Sequence, residues 1–195
     1  MLRGHWSLST APTVEPVTTT QCKEQALVDA AYTAQDDWFT LAITAARQDV
    51  EEYLQRSLLE QTWELWLDSI AYDRLAALIG VSSLEGDDVI ELPRGPVSTI
   101  DSIVSYNDAN TAATLSSDAY ELDADSMPPR VYLNQGYSWP TALRSRNAIC
   151  VTYTAGYGDT ATDVPATIRA AITRLVAYRY EHRESLDMPT PIMRM

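Results

Sequence analysis

Residues 151–172 read VTYTAGYGDTATDVPATIRAAI, and the way the chain passes through them decides the fold. The run AICVTYT (148–154) has the composition of a strand, and the residues from Pro165 onward have a helical pattern. Between them Gly156, Gly158 and Ala161 fit the G-x-G-x-x-G/A spacing of the turn that cradles a dinucleotide pyrophosphate. That turn needs its helix to open at the glycines, so that the N-terminus meets the phosphates, and a second parallel strand after the helix. Here the helix-start signals Asp163, Val164 and Pro165 come late, and only a proline-containing tail follows. Gly156 and Gly158 therefore read as structural residues that turn strand into helix. At least one is expected to hold positive φ, and no cofactor is expected.

Working outward, the C-terminal helix spans about 165–184, with Val164, Ile168, Ala171, Leu175 and Tyr178 as its apolar stripe. Upstream, TWELWLD (62–68), DVIELP (88–93), TIDSIVSY (99–106), AYEL (119–122), RVYLN (130–134) and AICVTYT read as strands separated by Pro, Gly, Asn and Asp turns. In the first of these, Trp63, Leu65 and Leu67 share one face, and Thr62, Glu64, Trp66 and Asp68 the other. Residues 71–86 are ambiguous, with room for one or two helical turns. Before the strands, the period is helical again. Phe39, Ile43, Ala46, Val50, Tyr53 and Leu54 make one stripe over 36–56, with Arg47, Gln48, Glu51, Glu52 and Gln55 on the other side. Thr18 and Gln21 have the form of a capping box opening a helix over 19–32. Residues 1–17 read as an extended arm. The expected fold class is α+β: a helical bundle of two N-terminal helices and a long C-terminal one, with a β-rich antiparallel insertion over 60–155 between them.

Composition excludes several functions. Lys and Arg number 14 against 27 Asp and Glu, a net charge of −13, whereas gripping a nucleic-acid backbone needs clustered cations. No run approaches the ~20 apolar residues of a membrane span. The first 20 residues lack the apolar block of a signal peptide. Cys22 and Cys150 match no metal or redox spacing and read as buried thiols of a protein assembled in a reducing cytoplasm. The acidic pairs Asp36/Asp37, Glu51/Glu52, Asp87/Asp88 and Asp123/Asp125 are what an acidic composition produces. The only histidines, His5 and His182, stand in no metal or triad context. No catalytic, cofactor or metal residue is assigned.

What stands out is aromatic: 5 Trp and 11 Tyr against a single Phe, residues that combine area with a polar handle and favour interfaces. Trp66, on the polar face of its strand, has two readings, packing under a neighbouring loop or making a subunit contact. The tail 185–195 keeps Leu186, Met188, Ile192, Met193 and Met195. It is either a frayed end or a segment that orders on a partner. With Arg179 and Arg183 near the end of the last helix, these form the set of candidate interface residues.

The order PVTTTQCKEQAL (16–27), VEEYLQRSLLEQTWEL (50–65), IELPRGPVSTIDSI (90–103), GYSWP (136–140) and VTYTAGYGDTATDVPATIRAAI (151–172) resembles the head–tail connector (adaptor, head-completion) proteins of tailed bacteriophages. The resemblance runs from about Pro16 to Glu184. It departs from the family's pattern in the length of 69–86 and in the lack of an early apolar residue over Thr18–Gln21. It implies a structural virion protein that catalyses nothing and holds no cofactor. Its copies form a ring, a dodecamer, under the portal protein, extending the DNA channel at the head–tail junction and seating a stopper or tail-completion protein. Double-stranded DNA passes through without sequence-specific binding, and an acidic wall lets it slide. The portal or the adjacent copy is then the partner expected for the tail. A stopper or tail-completion role in the neck is the first alternative, and a small enzyme using the acidic pairs is the second.

Overall fold

The computed structural model describes residues 4–68 and 89–183. The ambiguous segment 71–86, the pair Asp87/Asp88 and the whole tail fall outside them. The chain divides into two compact units: one takes in the described residues up to Ala11 and Glu60–Gly156, the other Pro12–Leu59 and the described residues from Tyr157 on.

The described residues of the first unit are mainly strands, with one 3-10 turn at Ser117–Ala119. Its larger sheet has the order β1 (Gly4–Thr10), β2 (Gln61–Leu67), β8 (Ile149–Ala155), β4 (Val97–Tyr106), β5 (Ala112–Thr114), every pairing antiparallel. A smaller antiparallel sheet runs β3 (Val89–Glu91), β7 (Arg130–Leu133), β6 (Tyr120–Asp123). Alternation decides which side chains go inward. Leu65 and Leu67 of β2, Ile149, Val151 and Tyr153 of β8 and Ile103 of β4 share one core cluster with Ile90 and Val131 of the small sheet. Tyr153 is fully buried, and its hydroxyl donates to the Pro93 carbonyl at 2.7 Å, which satisfies the one polar atom the ring brings inside. The inward face of β2 is the one read from its sequence.

Two strands escape the sequence reading. Gly4–Thr10, read as part of an arm, is paired with β2 from Gly4↔Leu67 to Thr10↔Thr62, with one irregularity after Leu8. Its residues are all exposed, its apolar alternation is limited to Trp6 and Leu8, and the pairing partners lie some fifty to sixty residues away. Gly4 fits because a Cβ there would run into the Trp66 carbonyl oxygen. β5, three exposed residues, is too short to carry a period.

The second unit holds α1 (Thr19–Gln25), α2 (Asp36–Leu54) and α3 (Ala166–Glu181). The capping box is present: the Gln21 N–H donates to Thr18 Oγ1 at 3.2 Å and the Thr18 N–H to Gln21 Oε1 at 2.9 Å. The helix expected to reach residue 32 ends at Gln25. Leu27 takes positive φ (55°), and the Ala31 N–H donates to Asp29 Oδ1 at 2.9 Å, an Asx-type turn that competes with helix. Lys23 Nζ then donates to the carbonyl of Tyr32 (2.9 Å) and makes an ion pair with Asp36.

Phe39, Ile43, Ala46, Leu58, Leu59, Val164, Ile172, Leu175 and Val176 form the core cluster here, with Cys22 of α1. Two stripes are corrected. On α2, Tyr53 is 60% exposed while Arg47 and Glu51, read as solvated, are buried; their charges neutralise each other, which lets both enter. On α3 the buried line passes through Ile172 and Val176, with Ala171 and Tyr178 only half-buried. Val164 and Leu175 of the expected stripe are buried as well, so the buried face is broader than that stripe, because i+3 and i+4 steps from Ile168 lead to both lines.

Candidate functional site

In the β unit, Trp66 lies on the face of the large sheet opposite the core, between His5 of β1 and Cys150 of β8. Its ring stacks on Tyr106 at the end of β4, with centroids 5.9 Å apart and 25° between planes. The Arg144 guanidinium sits 4.3 Å from the Tyr106 centroid, and its Nη2 donates to the Asn147 carbonyl at 2.6 Å. The indole N–H donates to Glu64 Oε2 at 3.1 Å. Trp66 is thus a half-buried member of a ladder, Arg144–Tyr106–Trp66, rather than a free anchor. Tyr106 and Arg144 were not singled out from the sequence. Tyr106 has the parity of Val104, opposite Cys150 in the register, and that was the available signal.

In the helical unit, Arg183 folds back on its own helix end. Its guanidinium lies 4.1 Å from the Tyr180 centroid and 5.2 Å from that of Trp38, and Nη2 donates to Gln35 Oε1 at 3.0 Å. Tyr180 in turn stacks on Phe39 at 5.0 Å. Arg179 pairs with Asp49 of α2. His182 caps the helix, with its ring stacked on Tyr178 and Nδ1 3.1 Å from the Tyr178 carbonyl. Arg179 and Arg183 therefore share one helix end, whereas Trp66 belongs to the other unit. Leu186, Met188, Ile192, Met193 and Met195 lie outside the described residues.

Gly156 has φ 145° and Gly158 φ 158°. The Gly156 N–H donates to the Pro96 carbonyl at 2.9 Å, and a Cβ on Gly158 would stand 2.6 Å from Asp163 Cγ. The Asp163 carboxylate accepts from the Thr160 N–H (2.9 Å) and hydroxyl (2.7 Å), and these bonds hold its pKa below the ordinary carboxylate value. α3 opens at Ala166 with Pro165 before it, so its N-terminal amides do not border the glycines. The turn is filled by its own side chain.

In each of the described acidic pairs one carboxylate is held by a cation. Asp36 meets Lys23, Glu51 meets Arg47, and Asp123 meets Arg130 at 2.9 Å, with that bond the main cause of its lowered pKa. Both cysteines are free and buried; burial pushes the Cys22 thiol up to about 12 and raises Cys150. Among the described residues no group of His, Cys, Asp and Glu has the makings of a metal site, and no helix is long and apolar enough to cross a membrane.

No protein-family model matches the sequence, and no curated protein matches it. Solved structures do. A chain from the neck of an empty gene transfer agent particle, computed with C6 symmetry, superposes with a TM-score of 0.76 at 19% identity, covering 97% of this chain and 91% of that one. A chain of the virion of the native gene transfer agent particle gives 0.71 at 19% identity, over 96% of this chain and 91% of that chain. One from the native neck, computed with C12 symmetry, gives 0.66 at 19% identity, over 96% and 93%. Over most of its length, this chain shares its fold with these chains of gene transfer agent particles.

Proposed function

We propose that this chain is a structural neck protein of a phage-like particle, a head–tail connector whose copies form a ring beneath the portal. One observation carries the reading: the likeness to a neck component extends over 97% of the chain, not over one common module. The residue order that resembles tailed-phage connectors points independently to the same place. In this reading α1, α2 and α3, which share one apolar core, are the connector's helical bundle, and the β unit is its outer or tail-facing part. The ring has twelve copies by analogy with a neck computed with C12 symmetry. It continues the DNA channel, and the net charge of −13 keeps a polyanion from adhering to the wall. The protein resides in the virion neck after assembly in the host cytoplasm. Portal, neighbouring copies and a stopper or tail-completion protein are its partners, and it performs no catalysis.

Native mass spectrometry of the full chain, alone and mixed with the portal, tests this. A cyclic oligomer or a portal-bound ring supports it; a monomer at all concentrations that ignores the portal overturns it. In particles, deleting Asp187–Met195 is expected to leave the protein folded and to yield heads that lose DNA or fail to join tails. A cryo-EM map placing the ring against the tail and away from the portal makes it a stopper or tail-completion protein instead.

A further inference from the structure

We infer that the C-terminal tail of one copy adds as a strand to the exposed β1 edge of the next copy. The inference rests on the ring-forming reading and supplies a contact for it. A closed ring needs heterologous contacts, in which one patch meets a different patch on the neighbour. β1 and the tail are two such patches on one chain.

The acceptor is the edge of the large sheet. β1 pairs on one side only, with β2, so its outer row of N–H and C=O groups is unmatched among the described residues. GHWSLST lacks the usual guards of an open edge: it has no Lys, no Pro and no carboxylate. Trp6 opposes Leu65 and Leu8 opposes Trp63, so both project on the core side of the sheet, and each is 45% exposed. They are the margin of an apolar layer that stops one strand early.

The donor fits that margin by parity. Along an extended strand, N–H and C=O groups point to alternate sides, and side chains to alternate faces. Pro189 and Pro191 share one parity in SLDMPTPIMRM (185–195), so both missing donors fall on one side. Leu186, Met188, Thr190 and Ile192, of the other parity, keep a complete hydrogen-bonding side, and three of those four side chains are apolar. Such a strand pairs once and ends the sheet. Its apolar face would extend the layer at Trp6 and Leu8, with methionine adapting to the margin. Residues 184–195, fully extended, span about 40 Å, enough to reach a neighbouring molecule.

The test is disulfide trapping between full-length copies, with ring formation read in parallel by native mass spectrometry. One copy carries Leu8→Cys; the other carries Met188→Cys, Thr190→Cys or Ile192→Cys, or, on the opposite parity, Asp187→Cys or Met193→Cys. The native cysteines are buried. Mixed-copy disulfides at the first three positions and few at the last two are the expected result. Thr190→Pro, which removes a pairing donor, should weaken association about tenfold, while Met193→Pro, on the proline parity, should not. A ring that assembles without these disulfides, or disulfides confined to single chains carrying both cysteines, overturns the inference and leaves the neck reading standing. Absence of both ring and disulfide removes the two together.

Discussion

Arg47 and Glu51 form an ion pair inside the helical unit: Nη1 donates to Oε2 at 2.8 Å, and the two residues are only 6% and 7% exposed. The pair is one link of a longer network. Arg47 Nε donates to Glu15 Oε2 at 2.9 Å, and the Leu58 N–H donates to the second oxygen of Glu51, also at 2.9 Å. Removing Glu51 leaves the buried Arg47 with Glu15 alone and the buried Leu58 N–H without its acceptor, which costs more than the pair itself contributes. Because Glu15 still compensates Arg47, Glu51→Ala is expected to destabilise by about 2–3 kcal/mol, below the cost of a wholly unpaired charge. Glu51→Gln, which keeps an acceptor for Leu58, should cost less. Urea unfolding of the two variants checks the order; equal losses would mean the Leu58 contact is unimportant.

That network also marks where the sequence stops being legible. The strands were readable because alternation in β2, β4 and β8 matches their burial, and α2 because Phe39, Ile43 and Ala46 repeat at helical steps. Arg47 and Glu51 were placed outside because polarity alone cannot tell a solvated charge from one neutralised by an i+4 partner and by Glu15 across the fold. β1 was unreadable for the opposite reason. Its residues are all exposed, its alternation is limited to Trp6 and Leu8, and only pairing with β2 makes it a strand. At the candidate interfaces Trp66 was visible as an aromatic on a polar face, but its stack with Tyr106 joins residues forty positions apart. The same limit hid the partners of Arg179 and Arg183.

The turn after β8 leaves no room for a side chain at Gly158. Its φ of 158° is one that L side chains rarely adopt, and the space is closed as well: a Cβ would stand 2.6 Å from Asp163 Cγ and 2.7 Å from Asp163 Cβ. Gly158→Ala must push Asp163 away and break its bonds to Thr160. A loss of about 1–3 kcal/mol is expected by thermal or urea unfolding. Combining it with Asp163→Ala should cost less than the sum of the single losses, since one site is disturbed twice. Strict additivity would place the strain elsewhere.

Acid should weaken both units through their depressed carboxylates. Asp163 is held below the ordinary carboxylate range by hydrogen bonds from Thr160, and Asp123 by its bond from Arg130. A group whose folded pKa is lowered contributes stability above its unfolded pKa and loses it as pH falls through the folded value. The loss therefore begins as pH drops below about 4 and continues to more acid values. Melting temperatures from pH 7 down to 2 should show it, and Asp163→Asn with Asp123→Asn should flatten the curve in that window. An unchanged slope in the double variant would mean other carboxylates carry the dependence.

Lys23 is the single lysine of the chain and is 3% exposed. Its ammonium donates to the Tyr32 carbonyl at 2.9 Å and pairs with Asp36, tying the turn after α1 to the first turn of α2. An amine buried this way cannot meet a reagent until that turn opens. In native protein, an amine-reactive label should modify only the α-amino group, and Lys23 should react at the rate of local opening. Lys23→Met retains the aliphatic stem but strands Asp36 and the carbonyls it served. A loss of about 2–4 kcal/mol is expected, discounted from a fully buried pair because the Asp36 side chain is 43% exposed. Mass-resolved labelling across a urea series separates local from global opening. Labelling of Lys23 as fast as that of a free amine in the absence of urea would show that the clasp is open in solution.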